Sequence, residues 1–345
     1  MNYQPVKPDL LNWEELKLQK NFAVKCYKDS VYRGQLDEEN KRNGLGVITY
    51  SSGRVFEGWW KQDKRHGLGY ERFQVGNVFE GEYDQGKVHG QGRYNWTSGE
   101  FYDGVWVDGR KEGHGVWEGI KGDSYIGQWK DNQPNGFGKH IWGNGDRYEG
   151  EWKFCLRHGN GCDIFDIGDS YVGEYAYGKA EGYGQYRWMN GNIYSGQFFN
   201  GMKNGQGQWK KSGDEDANQY SGKYRNDMKH GFGEFEWSTG SKYKGEYVND
   251  KKKGYGEMYW ADGSIYRGFW DNGVQDGLGL MIFKDGMRKA GFFEDNIYKS
   301  PLFTMEEFHE YEAGLKKKIP EAFRQEIKEY LGQLQPKDTY DDFIG

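Results

Sequence analysis

Seven histidines, three cysteines and a long series of Gly-x-Gly pairs are the residues here with the means to do chemistry. His66, His89, His158 and His230 each immediately precede the first glycine of such a pair, and His114 lies within one. Imidazoles could hold a metal or exchange protons. Their spacing argues against both. They recur once per repeat, so neighbouring copies would stand ~10 Å apart on successive hairpins, whereas a zinc-bound nitrogen lies ~2.0–2.1 Å from its metal. Cys155 and Cys162 flank His158, but that spacing with one histidine matches no usual zinc pattern, and with Cys26 the three thiols make no disulfide framework. The Gly-x-Gly pairs would cradle phosphate only at a strand-to-helix junction, and no helical pattern follows them. No Ser-His-Asp pattern or nucleophile elbow is found. The chain reads as not an enzyme, with no metal or cofactor.

The elements that carry these residues come from an internal repeat. An aromatic, a glycine and a second aromatic at alternate positions are followed by a turn, Gly-x-Gly, another aromatic and a second turn. The first aromatic falls at Tyr32, Phe56, Phe79, Tyr102, Tyr125, Tyr148, Tyr171, Tyr194, Tyr220, Tyr243 and Tyr266. Nearly every step is 23 residues, the exceptions being 24 before Phe56 and 26 before Tyr220. A twelfth unit starts at Lys289, in the aromatic's place, and fails. In Tyr148-Glu149-Gly150-Glu151-Trp152 the rings and the glycine share one strand face, and both glutamates face water. Gly182, Gly184, Tyr186 and Trp188 share a face likewise. Loops of about six residues rich in Asn, Asp, Gly and Lys should join each pair of strands. Glycine without a side chain lets a ring lie over the backbone. With 55 Gly in 345 residues, 18% aromatic and only 35% hydrophobic, apolar surface is buried in a thin layer, as stacked hairpins would do. The expected fold is an all-β repeat, one elongated twisted antiparallel sheet with short helical N- and C-terminal segments.

YEGEW at 148–152, FEGEY at 79–83, YIGQW at 125–129 and YKGEY at 243–247, each followed by Gly-x-Gly, resemble MORN repeats. The resemblance covers about three quarters of the chain. It implies a groove-shaped sheet of stacked hairpins and a kinship with cytoskeletal and ciliary scaffolds such as radial-spoke head proteins.

Three segments are expected: 1–31, an N-terminal cap with a short helix suggested by Leu10, Trp13 and Leu16; 32–298, the array; and 299–345, a helical segment and tail. Thr304 and Glu307 form a capping box opening one helix. After Pro320 a second helix carries the stripe Phe323, Ile327, Tyr330, Leu331 and Leu334, either a cap on the last hairpin or a docking helix. Candidate groove residues for a partner segment are Trp60, Trp106, Trp129, Trp152, Trp188, Trp237, Trp260 and Trp270. Gly119 and Lys211, where a ring is missing, could open gaps for a partner side chain.

Formal net charge is −6 with no long run of one sign, which leaves no basic stripe for nucleic acid. The ten turns after the first strand hold 16 Lys or Arg against 10 Asp or Glu. Lys61, Lys64, Arg65, Lys251, Lys252 and Lys253 are therefore the candidates for contact with an anionic surface, at ~1 kcal/mol each at most. No apolar run approaches the ~20 residues of a membrane span, and no secretory core opens the chain. The expected role is a non-catalytic scaffold and protein-interaction module, cytoplasmic and cytoskeleton-associated, with the ciliary axoneme as setting. Its partners would be other proteins of the assembly, or a second copy forming a homodimer. The alternative is a peripheral membrane adaptor holding acidic lipid through the basic turns.

Overall fold

The computed structural model describes residues 12–212, 217–315 and 319–334. Among them are 25 strands, all antiparallel in one open sheet, and three α-helices. The chain divides into two compact units, residues 1–168 with 175–179 and residues 169–174 with 180–345.

One hairpin explains the rest. Strands Arg147–Lys153 and Leu156–Ile164 pair with Gly150 opposite Gly161. Tyr148 lies over that glycine pair, fully buried, and its hydroxyl donates to the carbonyl of Glu151 at 2.9 Å. A Cβ on Gly161 would stand 2.3 Å from the Tyr148 hydroxyl, so this close approach is what the glycines are for. Trp152 packs edge-on against Tyr148 at 5.0 Å and against Tyr125 of the preceding hairpin at 5.5 Å. Its indole N–H donates to the carbonyl of Gly138 at 3.0 Å. Such edge-to-face pairs each add ~0.5–1.5 kcal/mol beyond area burial. These rings therefore bridge two hairpins, and no hairpin is complete alone.

The connection differs from the expected six-residue loop. Lys153 pairs with Leu156, leaving a two-residue turn at Phe154 and Cys155, with φ of +51° and +63°. Two positive φ values define a type I′ turn, whose twist matches that of the strands. Elsewhere the pair is mostly Asn, Asp or Gly, as at Asn226-Asp227 and Asn249-Asp250. The first glycine of Gly-x-Gly also has a task that ring cover does not describe. Gly159 has φ +58° beside a register shift at Gly150/Glu151, so it is the left-handed residue of a β-bulge.

The sheet begins before Tyr32. Strand Phe22–Tyr27 pairs with Ser30–Leu36. The last strand, Ile297–Pro301, completes the partial twelfth hairpin. In the first unit helix α1 (Trp13–Lys17) sets Leu16 on Val47, which alternates with Gly46 and so lies opposite the rings. Leu10 lies outside the described residues, and α1 leaves the side chain of Trp13 outside them too.

In the second unit α2 (Met305–Gly314) opens on the expected capping box of Thr304 and Glu307, and α3 (Glu321–Gln333) follows Pro320. Phe308, Phe323, Ile327 and Tyr330 are buried on Leu278, Leu280 and Ala290, with Leu331 and Leu334 packed at the margin. Leu278 and Leu280 alternate with Gly277 and Gly279, so this cluster too covers the face opposite the rings. Of the two readings of this stripe, a cap or a docking helix, its burial supports the cap, because the stripe is turned inward. Apolar residues that the sheet itself presents at Leu278 and Leu280 compete for it.

Candidate functional site

The two faces of the sheet offer different chemistry. Opposite the rings, between the two apolar clusters under the helices, the face mixes polar side chains with exposed apolar ones such as Leu68, Phe137, Tyr183 and Phe232. The ring face holds two layers. The inner layer is the fold's own packing. Trp60, Trp106, Trp129, Trp152 and Trp270 belong to it: all are buried, and each indole N–H is donated to a glycine carbonyl fourteen residues earlier, at 2.8–3.1 Å. These five are structural ties with little surface for a partner. Trp188, Trp237 and Trp260 sit in the outer layer, half-buried, and remain candidates.

The expected gap at Gly119 does not open. At Gly119 a Cβ would meet the ring of Trp117 at 2.7 Å; the tryptophan two residues earlier fills the space. Nearby, His140 stacks on Trp142 at 4.3 Å and bonds Asp123 at 2.6 Å. Lys211, the other expected gap, is exposed. Between Trp142 and Phe165 the ring face holds a cavity of about 640 Å³, bordered by Trp152, Arg157 and Asp163.

That cavity shows the feature which sequence reasoning missed. Nine residues beyond the first aromatic, a basic residue recurs and leans over the rings. In the first unit Arg65 lies over Tyr83 at 5.1 Å, Lys111 over Trp129 at 4.8 Å and Arg157 over Tyr175 at 5.4 Å. In the second unit Lys203 is 5.3–5.7 Å from the rings of Trp188, Tyr194 and Tyr224. Lys229 is 5.3–5.8 Å from those of Tyr220, Phe235 and Tyr247. Lys252 is 4.3–5.3 Å from Trp237, Tyr243 and Trp270. A cation within ~6 Å of a ring centroid is attracted by the ring quadrupole. The signal in the sequence was a lysine or arginine two positions before the first glycine of Gly-x-Gly.

The two arginines are neutralised by their own strand. Six residues after Arg65, the buried carboxylate of Glu71 bonds Arg65 at 2.7–2.8 Å, Arg54 at 2.6 Å and the Tyr83 hydroxyl at 2.9 Å. Six after Arg157, Asp163 bonds Arg157 and the Tyr175 hydroxyl, each at 2.6 Å. Burial pushes the Asp163 carboxyl up, while Tyr175 and Arg157 oppose the rise. Where the cation is lysine, position six holds Trp117, Trp209, Phe235 or Met258 instead. Lys229 keeps Asp250 at 3.9 Å. Burial pushes the ammoniums of Lys111 and Lys203 down, and that of Lys252 down to about 8.

Lys252 therefore costs stability at neutral pH. Below pH 8 it is charged folded and unfolded, so the whole penalty is present. As pH rises from about 8 towards 10.5, the folded form releases its proton first and the penalty falls. A tenfold loss of proton affinity is worth ~1.4 kcal/mol, but ring attraction returns ~1–2 kcal/mol and partial exposure screens the remainder. Lys252→Met is expected to raise stability by about 1 kcal/mol at pH 7, with the gain shrinking above pH 9. Denaturant melts at both pH values check this.

The six cations expected to meet an anionic surface differ in their surroundings. Arg65 and Lys252 turn onto the ring face. Lys253 is paired with Asp271, Lys64 bonds Gln85 at 2.9 Å and Lys251 bonds Asn272 at 2.6 Å. Lys61 is exposed.

The MORN repeat family signature matches residues 32–53, 56–78, 79–101, 102–124, 125–147, 148–169, 171–193, 194–214, 220–242, 243–265 and 266–288. No curated protein matches the chain. Among solved structures, it is similar to the TCP domain of SAS-4 (dCPAP) of Drosophila melanogaster in complex with a proline-rich motif of Ana2. The identity is 11% and the TM-score 0.27, over 52% of this chain and 90% of that one. The TCP10 domain of Danio rerio CPAP with a STIL peptide matches at 10% identity and TM-score 0.22, over 77% and 96%. Scores this low bear on neither fold nor function. The eleven matched repeats, which together span most of the chain, do decide the matter of family: the chain belongs to the MORN repeat proteins.

Proposed function

We propose that the chain is a non-catalytic scaffold of a cytoskeletal assembly, holding partner protein segments along its ring face. The observation that carries this is the outer layer of that face. The fold spends the inner rings on itself, yet leaves Trp188, Trp237 and Trp260 half-buried beside a series of lysines that have no carboxylate six residues on. Rings and cations together suit a polypeptide, which brings apolar and acidic side chains at once. The resemblance to radial-spoke head proteins supports the ciliary axoneme as the setting. With the α3 stripe buried, a homodimer would have to form through sheet surface or a terminal strand.

The membrane-adaptor reading is weaker, since of the six basic candidates only Lys61 is neither bonded nor turned onto the rings. Extraction of cells with a mild non-ionic detergent separates the two. The tagged protein is expected to stay in the insoluble cytoskeletal pellet. Its release with the membrane lipids would overturn the scaffold reading in favour of the adaptor.

A further inference from the structure

In the second unit three caged lysines fall on consecutive hairpins, Lys203, Lys229 and Lys252. The first unit shows what this kind of site accepts. At Arg65 and Arg157 the occupant is a carboxylate, Glu71 or Asp163, which binds the cation and a tyrosine hydroxyl together. In the second unit the corresponding position carries Trp209, Phe235 and Met258, so the chain provides no such carboxylate. The acids nearby are committed elsewhere or distant. Asp227 accepts the backbone N–H of Lys203 at 2.9 Å, and Asp250 accepts that of Lys229 at 2.9 Å while standing 3.9 Å from its ammonium. An ammonium has three donors, so even Lys229 keeps capacity.

We propose that Lys203, Lys229 and Lys252 receive the carboxylates of an acidic partner segment lying extended across the three hairpins, one carboxylate to each. The spacing supports an extended chain. Two strands at ~4.8 Å advance ~10 Å per hairpin. A polyproline II segment rises ~3.1 Å per residue with three residues per turn, so every third side chain points the same way at nearly that interval. The partner thus carries Asp or Glu at every third position, its intervening side chains resting on rings such as Trp188 and Trp237. A peptide is favoured over a lipid surface because the ammoniums lie sunk among rings, Lys229 being 25% accessible; a side chain can reach them where a planar headgroup layer cannot. This inference rests on the ring face being a protein-binding surface.

The test uses the full chain and a short labelled peptide with Glu at every third position. A second peptide of equal composition has its glutamates clustered. Binding is followed by fluorescence anisotropy at low and physiological salt. The spaced peptide is expected to bind, more weakly as salt rises, and the triple variant K203M/K229M/K252M to lose affinity by about tenfold or more. Methionine keeps the apolar stem, and circular dichroism verifies the fold. K111M, whose cage has no lysine-bearing neighbour, is expected to change affinity less than about twofold. As a second readout, acetylation of Lys252 at pH 8 should slow when the peptide is bound. No binding, equal binding to the triple variant, or equal binding of the clustered peptide would each overturn the proposal. So would tight binding of phosphatidylserine vesicles that the peptide fails to displace. Failure here together with retention in the detergent-insoluble pellet would remove the acidic segment and leave the scaffold standing. Release from the pellet would remove the scaffold itself.

Discussion

Alanine at Gly150 is expected to destabilise its hairpin by about 3 kcal/mol, far more than one methyl group ordinarily costs. A Cβ there would lie 2.5 Å from the Cα of Gly161, 2.6 Å from the carbonyl of Asn160 and 2.6 Å from the Tyr148 hydroxyl. The first two are backbone atoms held by the ladder, so relief requires prising the strands apart. Tyr148 has nowhere to go either, being enclosed between Trp152 and Tyr175. Gly263→Ala supplies the comparison. Gly263 has φ +90° but nothing within 4 Å of its added Cβ, so only the conformational cost of about 1 kcal/mol applies. Because contacts in a repeat array are between neighbours, the damage should be local. Hydrogen exchange is expected to quicken across residues 136–168 in Gly150→Ala and to stay unchanged across 220–259. If Gly150→Ala proved no worse than Gly263→Ala, the account of rings lying on bare backbone would fail.

The other large effect is expected at Glu71. Glu71→Gln removes the charge that neutralises Arg54 and Arg65 and accepts from Tyr83, and should cost about 3 kcal/mol. The loss is less in the missing attraction than in the stranded partners, since breaking one side of a buried pair leaves an uncompensated charge. The double variant R65M/E71M is therefore expected to be more stable than Glu71→Gln alone, because it removes one of the two stranded cations and leaves only the more exposed Arg54. Denaturant melts of the single and double variants measure this. Equal destabilisation in both would mean that the network is held by Arg54 or by packing. Asp163 with Arg157 repeats the arrangement once more.

The repeat period, the antiparallel hairpins, the two C-terminal helices and the capping box at Thr304 were legible in the sequence. Each rests on local rules: alternation, glycine placement, an oxygen at a helix N-terminus. What escaped depends on which neighbour a side chain meets. The tryptophans of the first strand read as groove lining because alternation places them on the ring face. It says nothing of depth, and depth is set by the hairpin before, whose glycine carbonyl takes each indole N–H. The turns read as six residues because polar composition was taken for loop. In fact strands continue through Lys153 and Leu156, and only the two positions with positive φ turn. The α3 stripe could have faced either way, and the choice fell to Leu278 and Leu280 on the sheet. The lysine cages were hidden because a lysine near a turn reads as solvated until the rings around it are placed.

The indole-to-glycine tie reaches back fourteen residues at Trp60, Trp106, Trp129, Trp152 and Trp270 alike. A seam that is the same at each of these junctions lets genetic recombination drop or copy one whole period there and still rejoin matching surfaces. Tyr83 and Tyr175 are exceptions, because their hydroxyls need Glu71 and Asp163 from the period before. At those two seams the heritable module is a pair of hairpins. Lineages that lengthen or shorten such an array should lose or gain the acid and its tyrosine together.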